Sequence, residues 1–289
     1  MINAGQLIST LPARSIDRVS FAIGRLSAFA SYVCGPKNFA HASAPVFIGG
    51  TGGSGTRVVA SLVEHAGYFI GTNLHRSLDS LDLDRFCDTW LLRHLAAAGG
   101  TMASKNQAAM DRGLERALIW HRSAIPSADS PWALKHPRTV LMLPYLEARH
   151  PGMRFVHVIR DGRDMAFAPN TRQSDLYSDV VVPNSGVGLD SAEKLMRFWA
   201  HSNLKTKEFA DMSLATRYRR IRLEDLCAEP EAEIRGLFAW LGVDDKRAEA
   251  ARAIVRRPNS IGRWRTESDS LVERITTIGA EALDAFGYR

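Results

Sequence analysis

A chain of 289 residues, 45% apolar and 24% charged, is long enough for one sizeable buried core and short of what two full domains usually need. Its 37 Lys and Arg against 31 Asp and Glu leave a net charge of +6, which fits a polyanionic ligand or a plainly solvated basic surface. No Lys/Arg run resembles a nucleic-acid arm, and aromatics are not interleaved with the basic residues as single-strand binders require.

Residues 1–42 read as an N-terminal helical extension, with helical spacing at Ile16, Val19, Ile23 and Leu26 running toward Gly35-Pro36. The apolar stretch 19–33 is interrupted by Arg25 and is too short to span a bilayer, and no small-residue cleavage pattern follows a basic start. It reads as a helix that packs on the domain or makes a peripheral membrane contact. Next, Pro45-Val46-Phe47-Ile48 predicts a short buried strand, a glycine-dense loop follows, and Val58, Val59, Leu62, Val63 and Ala66 have helical spacing from Thr56 onward. Residues 80–122 carry helical periodicity broken at Gly99-Gly100. Trp132-Ala133-Leu134-Lys135 predicts a second strand, 139–149 a helix that tolerates or kinks at Pro144, and 154–159 a third strand. The polar stretch 170–190 reads as an irregular, mobile loop. Helices are expected at 191–212, 230–241 and 245–255, with a strand over 218–223.

This alternation predicts an α/β, three-layer fold with a central parallel sheet flanked by helices and a P-loop-like phosphate-binding loop, formed by one domain over 43–289. Cys34, Cys87 and Cys227 are too scattered for a disulfide framework or a CxxC pair, so a reducing, cytoplasmic compartment is expected. The nine histidines show no HxxxH spacing, and no metal is expected.

The loop Gly49-Gly50-Thr51-Gly52-Gly53-Ser54-Gly55-Thr56-Arg57 is the most informative segment. Glycines let the backbone approach an anion, Ser54 and Thr56 add hydroxyls, and the following helix adds its positive N-terminal end. A nucleoside triphosphatase loop would need Lys and then Ser or Thr after the second glycine. Here Gly50 and Gly55 have that separation, but Thr56 and Arg57 follow, which removes the magnesium-holding hydroxyl and argues against a kinase or ATPase.

Four segments in order resemble the PAPS-dependent sulfotransferase family, especially its bacterial branches (PAPS is 3′-phosphoadenosine 5′-phosphosulfate). Thr51-Gly52-Gly53-Ser54-Gly55-Thr56-Arg57 resembles the loop around the 5′-phosphosulfate, with Gly53 where Lys or Arg is usual. Lys135-His136-Pro137-Arg138 is similar to the strand-end lysine motif. The run 155–164, ending Arg160-Asp161-Gly162-Arg163-Asp164, resembles the strand and turn that hold the donor's 3′-phosphate. Ala168 stands where a serine is frequent, with Asn170 as its substitute. Arg257-Pro258-Asn259-Ser260-Ile261-Gly262-Arg263-Trp264-Arg265 is similar to the late loop that closes over that phosphate, with Asn259 at a usual glycine position. The segment Arg222-Leu223-Glu224-Asp225-Leu226 with Pro230 and Gly242 also looks family-like, in a structural role.

The resemblance implies transfer of a sulfuryl group from PAPS to an acceptor hydroxyl or amine, releasing 3′,5′-ADP. The phosphate loop and Lys135 would then offset charge on the leaving 5′-phosphate, and Arg160 and Arg257 would recognise the 3′-phosphate through guanidinium hydrogen bonds. His136 is the first candidate for the general base, with Asp79 and Asp82 as acidic alternatives. Arg160 also has a plain reading as an ion pair with Asp161 or Asp164, Arg163 is expected to face solvent, and Trp264 is either an adenine neighbour or a core residue. Residues 71–131 and 170–190, with Asn73, His75, Asp79 and Tyr177, would shape a site for a carbohydrate, glycolipid or other hydroxylated metabolite. A nucleotide kinase and a non-catalytic nucleotide-binding relative are the competing readings.

Overall fold

The computed structural model describes residues 43–97, 102–125, 127, 129–183 and 190–288. Its strands are β1 (Val46–Gly49), β2 (Ala133–Lys135), β3 (Arg154–Ile159) and β4 (Tyr218–Arg222), paired in the order β2-β1-β3-β4. All three pairings are parallel, with Phe47 opposite Leu134 and Phe155, and Val158 opposite Ile221. Successive strand side chains point to opposite faces, and the sequence uses both. Phe47, Leu134 and Phe155 enter one apolar core, while Val46, Ile48, Ala133, Val156, Val158 and Ile221 enter the other. Each of the buried Val, Leu, Ile and Phe side chains contributes ~1.5–3 kcal/mol.

Helix α1 (Thr56–His65) leaves the glycine loop and covers the second face with Val59, Leu62 and Val63. Helices α2 (Leu81–Ala96) and α3 (Ser104–Arg122) cover the first face through Leu83, Phe86, Leu91, Met110 and Leu114. Ser80 caps α2 by accepting from Leu83 N, and Asp82 and Asp84 in its first turn suit the positive helix end. The short helices α4 (Leu143–Arg149) and α5 (Gly162–Ala166) follow β2 and β3, and α6 (Arg172–Val181) comes next. The long α7 (Ser191–Ser213) starts with a reciprocal capping box between Asp190 and Glu193. Beyond β4 come α8 (Leu223–Ala228), α9 (Pro230–Leu241) and α10 (Ala248–Ala251). Proline opens α9 and Gly242, at φ 79°, closes it. The C-terminal α11 (Asp269–Ile278) and α12 (Ala280–Ala285) and the residues after them place Ile275, Leu283, Phe286 and Tyr288 in one core with Trp199 and Met196 of α7.

Helices on both faces of a parallel sheet give the expected three layers. Four local expectations are corrected. The polar stretch 170–190 holds a regular helix, α6, over Arg172–Val181. The 139–149 helix is instead a tight turn over Pro137–Leu141 followed by α4, because Pro144 lies in the first turn of a new helix rather than inside an old one. Residues 245–255 form α10 between two short tight turns, and Trp132 precedes β2 as an isolated bridge to Phe69. Helices α8, α11 and α12 had no counterpart in the sequence reading. The extension 1–42, Cys34 and the Gly99-Gly100 break lie outside the described residues. Among those described, no helix is long and apolar enough to cross a membrane.

Candidate active site

In an open parallel sheet, ligands bind beyond the carboxyl ends of the strands where the strand order reverses. Here that place is the end of β1, between β2 and β3. The glycine loop begins there. Gly50 runs so close to β3 that a Cβ would overlap the Val158 carbonyl oxygen. Gly55 adopts φ 94° as the cap of α1, and a Cβ there would lie 2.7 Å from Leu223 Cδ1. Inside the loop the Ser54 hydroxyl donates to Thr51 O at 2.6 Å, and the two hydroxyls lie 3.0 Å apart. Gly52 N–H donates to Gln173 Oε1 at 2.5 Å, so α6 holds the loop from the far side. Gly53 is exposed at φ 100°, where a lysine or arginine would be strained. Thr56 is buried in the first turn of α1, and Arg57 is exposed beside it.

Lys135 is the last residue of β2, and His136 begins the turn after it. The strand has therefore ended between them, and both serve the same region. Lys135 Nζ donates to Ser77 O at 2.9 Å and pairs with Asp79, which also accepts from the Ser77 hydroxyl. Leu78 between these partners has φ 63°, a strained value for leucine that turns the Ser77 carbonyl and the Asp79 carboxylate toward one ammonium. Burial pushes the Lys135 pKa down, the Asp79 charge raises it, and the charge of Arg57 lowers it again. Arg57 thus acts on the lysine at the end of β2.

His136 is buried with both ring nitrogens engaged. Arg138 N–H donates to Nδ1 at 3.3 Å, which leaves the ring proton on Nε2, 3.1 Å from Asp84 Oδ1. Burial lowers the His136 pKa by more than Asp84 restores. Arg138 is itself buried, pairing with Asp84, with Asp88 at 2.6 Å and with the Tyr177 hydroxyl at 2.9 Å. Burial acts to raise the Asp84 carboxyl, but His136 and then Arg138 outweigh it and hold it at about 2. Asp84 keeps 36% of its side chain exposed. It lines a cleft of about 180 Å³ with Asp79, His136, Asn170, Gln173 and Leu176, and Gly52 reaches the same cleft. Asp82, by contrast, is buried off this cleft and accepts from Asn73 Nδ2 at 2.9 Å.

At the end of β3, buried Arg160 donates to Asp164 Oδ2 at 3.0 Å and to the carbonyl and hydroxyl of Ser260. Asp164, fully buried, also accepts Gly262 N at 2.9 Å and Trp264 N at 3.4 Å. One carboxylate therefore joins the β3 arginine to the late loop. Arg263 caps that loop from within, donating to Ser260 O and to Phe167 O at 3.1 Å. Trp264 is half-buried, with the guanidinium groups of Arg163 and Arg265 over its ring, 4.1 and 4.5 Å from the ring centre. Arg163 does not face solvent as expected: it forms a two-point pair with Asp161 and donates to Tyr288 O at 2.7 Å. Arg257 is exposed, and its charge acts on the thiol of Cys227, as does that of Arg160. Asn170 is exposed beside Gly52, 3.1 Å from where a Cβ on that glycine would stand.

The predicted residues thus fall into two neighbouring groups, one around the loop, Lys135 and the cleft, the other around Arg160 and the late loop. Sequence reasoning missed Asp84, Asp88 and Gln173, and it gave Asp164 only as an ion-pair partner of Arg160, without its bonds to the late loop. The acids four apart on α2 were a usable signal, since that spacing puts both on the side that meets Arg138.

Comparison with known proteins bears on the family and the fold. The curated human carbohydrate sulfotransferase 6 is 27% identical over 177 residues, covering 52% of this chain and 45% of that protein. Human carbohydrate sulfotransferase 5 is 32% identical over 111 residues, covering 36% of this chain and 27% of its own length. The fold matches the sulfotransferase STF1 of Mycobacterium tuberculosis with a TM-score of 0.54 at 14% identity, over 90% of this chain and 82% of that one. It matches the sulfotransferase domain of the Synechococcus PCC 7002 olefin synthase with a TM-score of 0.54 at 16% identity, over 86% and 96%. A family model described as the sulfotransferase family matches residues 45–247, which include the loop, Lys135 and Arg160, and the chain belongs to that family.

Proposed function

We propose that this chain is a PAPS-dependent sulfotransferase that transfers a sulfuryl group to a hydroxyl or amine of a small-molecule, carbohydrate or glycolipid acceptor, releasing 3′,5′-ADP. One observation carries the reading. The glycine loop, Lys135 and Arg160 end three adjacent parallel strands, and a cleft bearing an ionised carboxylate opens beside them. The residues fit an anionic nucleotide: Arg57 is exposed at the start of the helix that follows the loop, and Gln173 Nε2 is a buried donor without an acceptor among the described residues.

PAPS, when bound, supplies a sulfuryl group whose bond to the 5′-phosphate oxygen breaks with the electron pair left on the phosphate. Lys135, held by Asp79 and Ser77, places its ammonium where that charge collects. Arg57 supplies the second cation that Gly53 lacks. Arg160, Arg257 and Arg263 serve the 3′-phosphate, and Trp264 the adenine side of the late loop. The base position falls to the Asp84–His136 pair. His136 has no free ring nitrogen, while Asp84 Oδ2 has no partner among the described residues, so it accepts the acceptor's hydrogen bond and then its proton.

The names of the human relatives support a carbohydrate acceptor. Carboxylates beside the partly exposed Leu81 and Leu176 suit a hydroxyl-bearing group attached to an apolar part. Unpaired Cys87 and Cys227 support a reducing, cytoplasmic setting, with any peripheral membrane contact made by residues 1–42. The test is calorimetric titration with 3′,5′-ADP, 5′-AMP and Mg·ATP. Preference for 3′,5′-ADP without metal is the expected result. Equal or tighter binding of Mg·ATP sinks the reading, and binding of none makes the chain a non-catalytic relative.

A further inference from the structure

Gln173 belongs to both halves of the site. Its Oε1 accepts the Gly52 N–H, and its side chain lines the acceptor cleft together with Asp79 and Asp84. It also borders a gap of about 20 Å³ behind the loop, shared with Thr51 and Trp199. The residue is 9% exposed, and Nε2 has no hydrogen-bond partner among the described residues. Oε1 cannot exchange places with Nε2, because an amide nitrogen facing the Gly52 N–H would set donor against donor. The orphan donor is therefore fixed in identity by the loop it supports.

A buried donor without a partner costs about 1–3 kcal/mol, so it is poised for a partner that the described residues do not supply. Gln173 lines the cleft beside Gly52, where a group passing from donor to acceptor would travel. An uncharged amide suits a sulfuryl group, whose single charge is spread over several oxygens, better than it suits a phosphate that draws cations. We propose that Gln173 is the sulfuryl contact of this site: Oε1 holds Gly52 of the loop while Nε2 donates to a non-bridging sulfuryl oxygen. In the step it serves, the sulfur–oxygen bond to the 5′-phosphate breaks and a new one forms to the acceptor oxygen. The electron pair stays on the phosphate and the acceptor's proton goes to Asp84. The amide stays bonded to an oxygen that remains on sulfur throughout.

This inference rests on the PAPS reading, and the test separates the two. Affinities for PAPS and for 3′,5′-ADP, which lacks the sulfuryl group, are measured by calorimetry without acceptor for the wild type, Gln173→Ala and Gln173→Glu. Gln173→Glu keeps an oxygen for Gly52 and exchanges the donor for negative charge, so it retains the loop contact if Gln173→Ala loosens it. The expected result is PAPS binding weakened on the order of tenfold, more by Glu than by Ala, with 3′,5′-ADP changed less than about twofold. Equal weakening of both ligands makes Gln173 a loop support only, and no change in either makes Nε2 a water site in the gap; both overturn the proposal. Failure of the wild type to bind 3′,5′-ADP overturns the PAPS reading itself.

Discussion

The end of β3 and the ends of β1 and β2 arrange their cationic side chains in opposite ways. At β3 the cation is already answered: Arg160 lies between Asp164 and Ser260, and the same carboxylate ties down Gly262 and Trp264 of the late loop. At β1 and β2 the chain leaves groups open. Arg57 has no ion pair with a described residue, Gln173 Nε2 has no acceptor, and Lys135 shares the partly exposed Asp79. A closed, buried array gives a fixed shape that recognises a group which does not react. An open one can follow charge that moves during a reaction. Under the proposed function, the closed end would be the anchor for the 3′-phosphate and the open end the working end for the 5′-phosphosulfate.

The largest effect should come from breaking the anchor. Asp164→Ala leaves the Arg160 charge buried without its partner and frees two backbone N–H groups, and should cost about 3–5 kcal/mol of stability. Denaturant unfolding measures it, and a loss below about 1 kcal/mol would mean that β3 has no such anchor. At the working end, Lys135→Met should lower kcat by about 10²–10³ while 3′,5′-ADP binding changes less than about tenfold. If binding collapses with turnover, Lys135 is an anchor too and the contrast fails.

Each end also rests on a buried neutral histidine. His157 of β3 sits between Asn203 Oδ1 at 2.8 Å and the Tyr218 hydroxyl at 2.9 Å, and burial holds it at about 4. His121 lies 2.9 Å from the Ala133 carbonyl of β2 and is likewise held down at about 4 by burial. Both folded pKa values lie below the unfolded value of about 6.5. The unfolded chain therefore binds more protons on acidification. Stability is fully present above about pH 6.5 and is lost as pH falls toward 4, by about 3 kcal/mol for each histidine. Urea unfolding from pH 7 to 4 checks this, and a flat profile would refute it.

The two ends also differ in how far the sequence reveals them. The loop, Lys135-His136 and the Arg160 turn each lie in one short run beside an apolar strand, so residue order alone places them. The cleft is assembled from α2, the turn after β2 and α6, and contacts such as Arg138 with Asp84 span dozens of residues. Helix α6 escaped detection for a physical reason. Its buried residues are Gln173, Ser174 and Tyr177, polar groups facing a site, so the apolar stripe that marks a helix is missing. Asp164 was visible only as a surface acid because its partners, the Gly262 and Trp264 amides, lie about a hundred residues on.

The smallest change expected is also the finest probe of the working end. Asp79 has been read both as a base and as the partner of Lys135, and its two roles predict different pH profiles. Burial and Arg57 already lower the Lys135 pKa, and Asp79 is the group that raises it. Asp79→Asn removes that support, so the ammonium should lose its proton at lower pH. The alkaline limb of kcat/KM should then move down by about one unit, with activity near neutral pH largely retained. Stability should fall by less than in Asp164→Ala, because Lys135 is buried but can shed its proton, keeps the Ser77 carbonyl as an acceptor, and Asp79 is 23% exposed. A fall in kcat at every pH with no movement of the alkaline limb would instead make Asp79 the proton acceptor. Asp84 would then be left holding His136 and Arg138 in place.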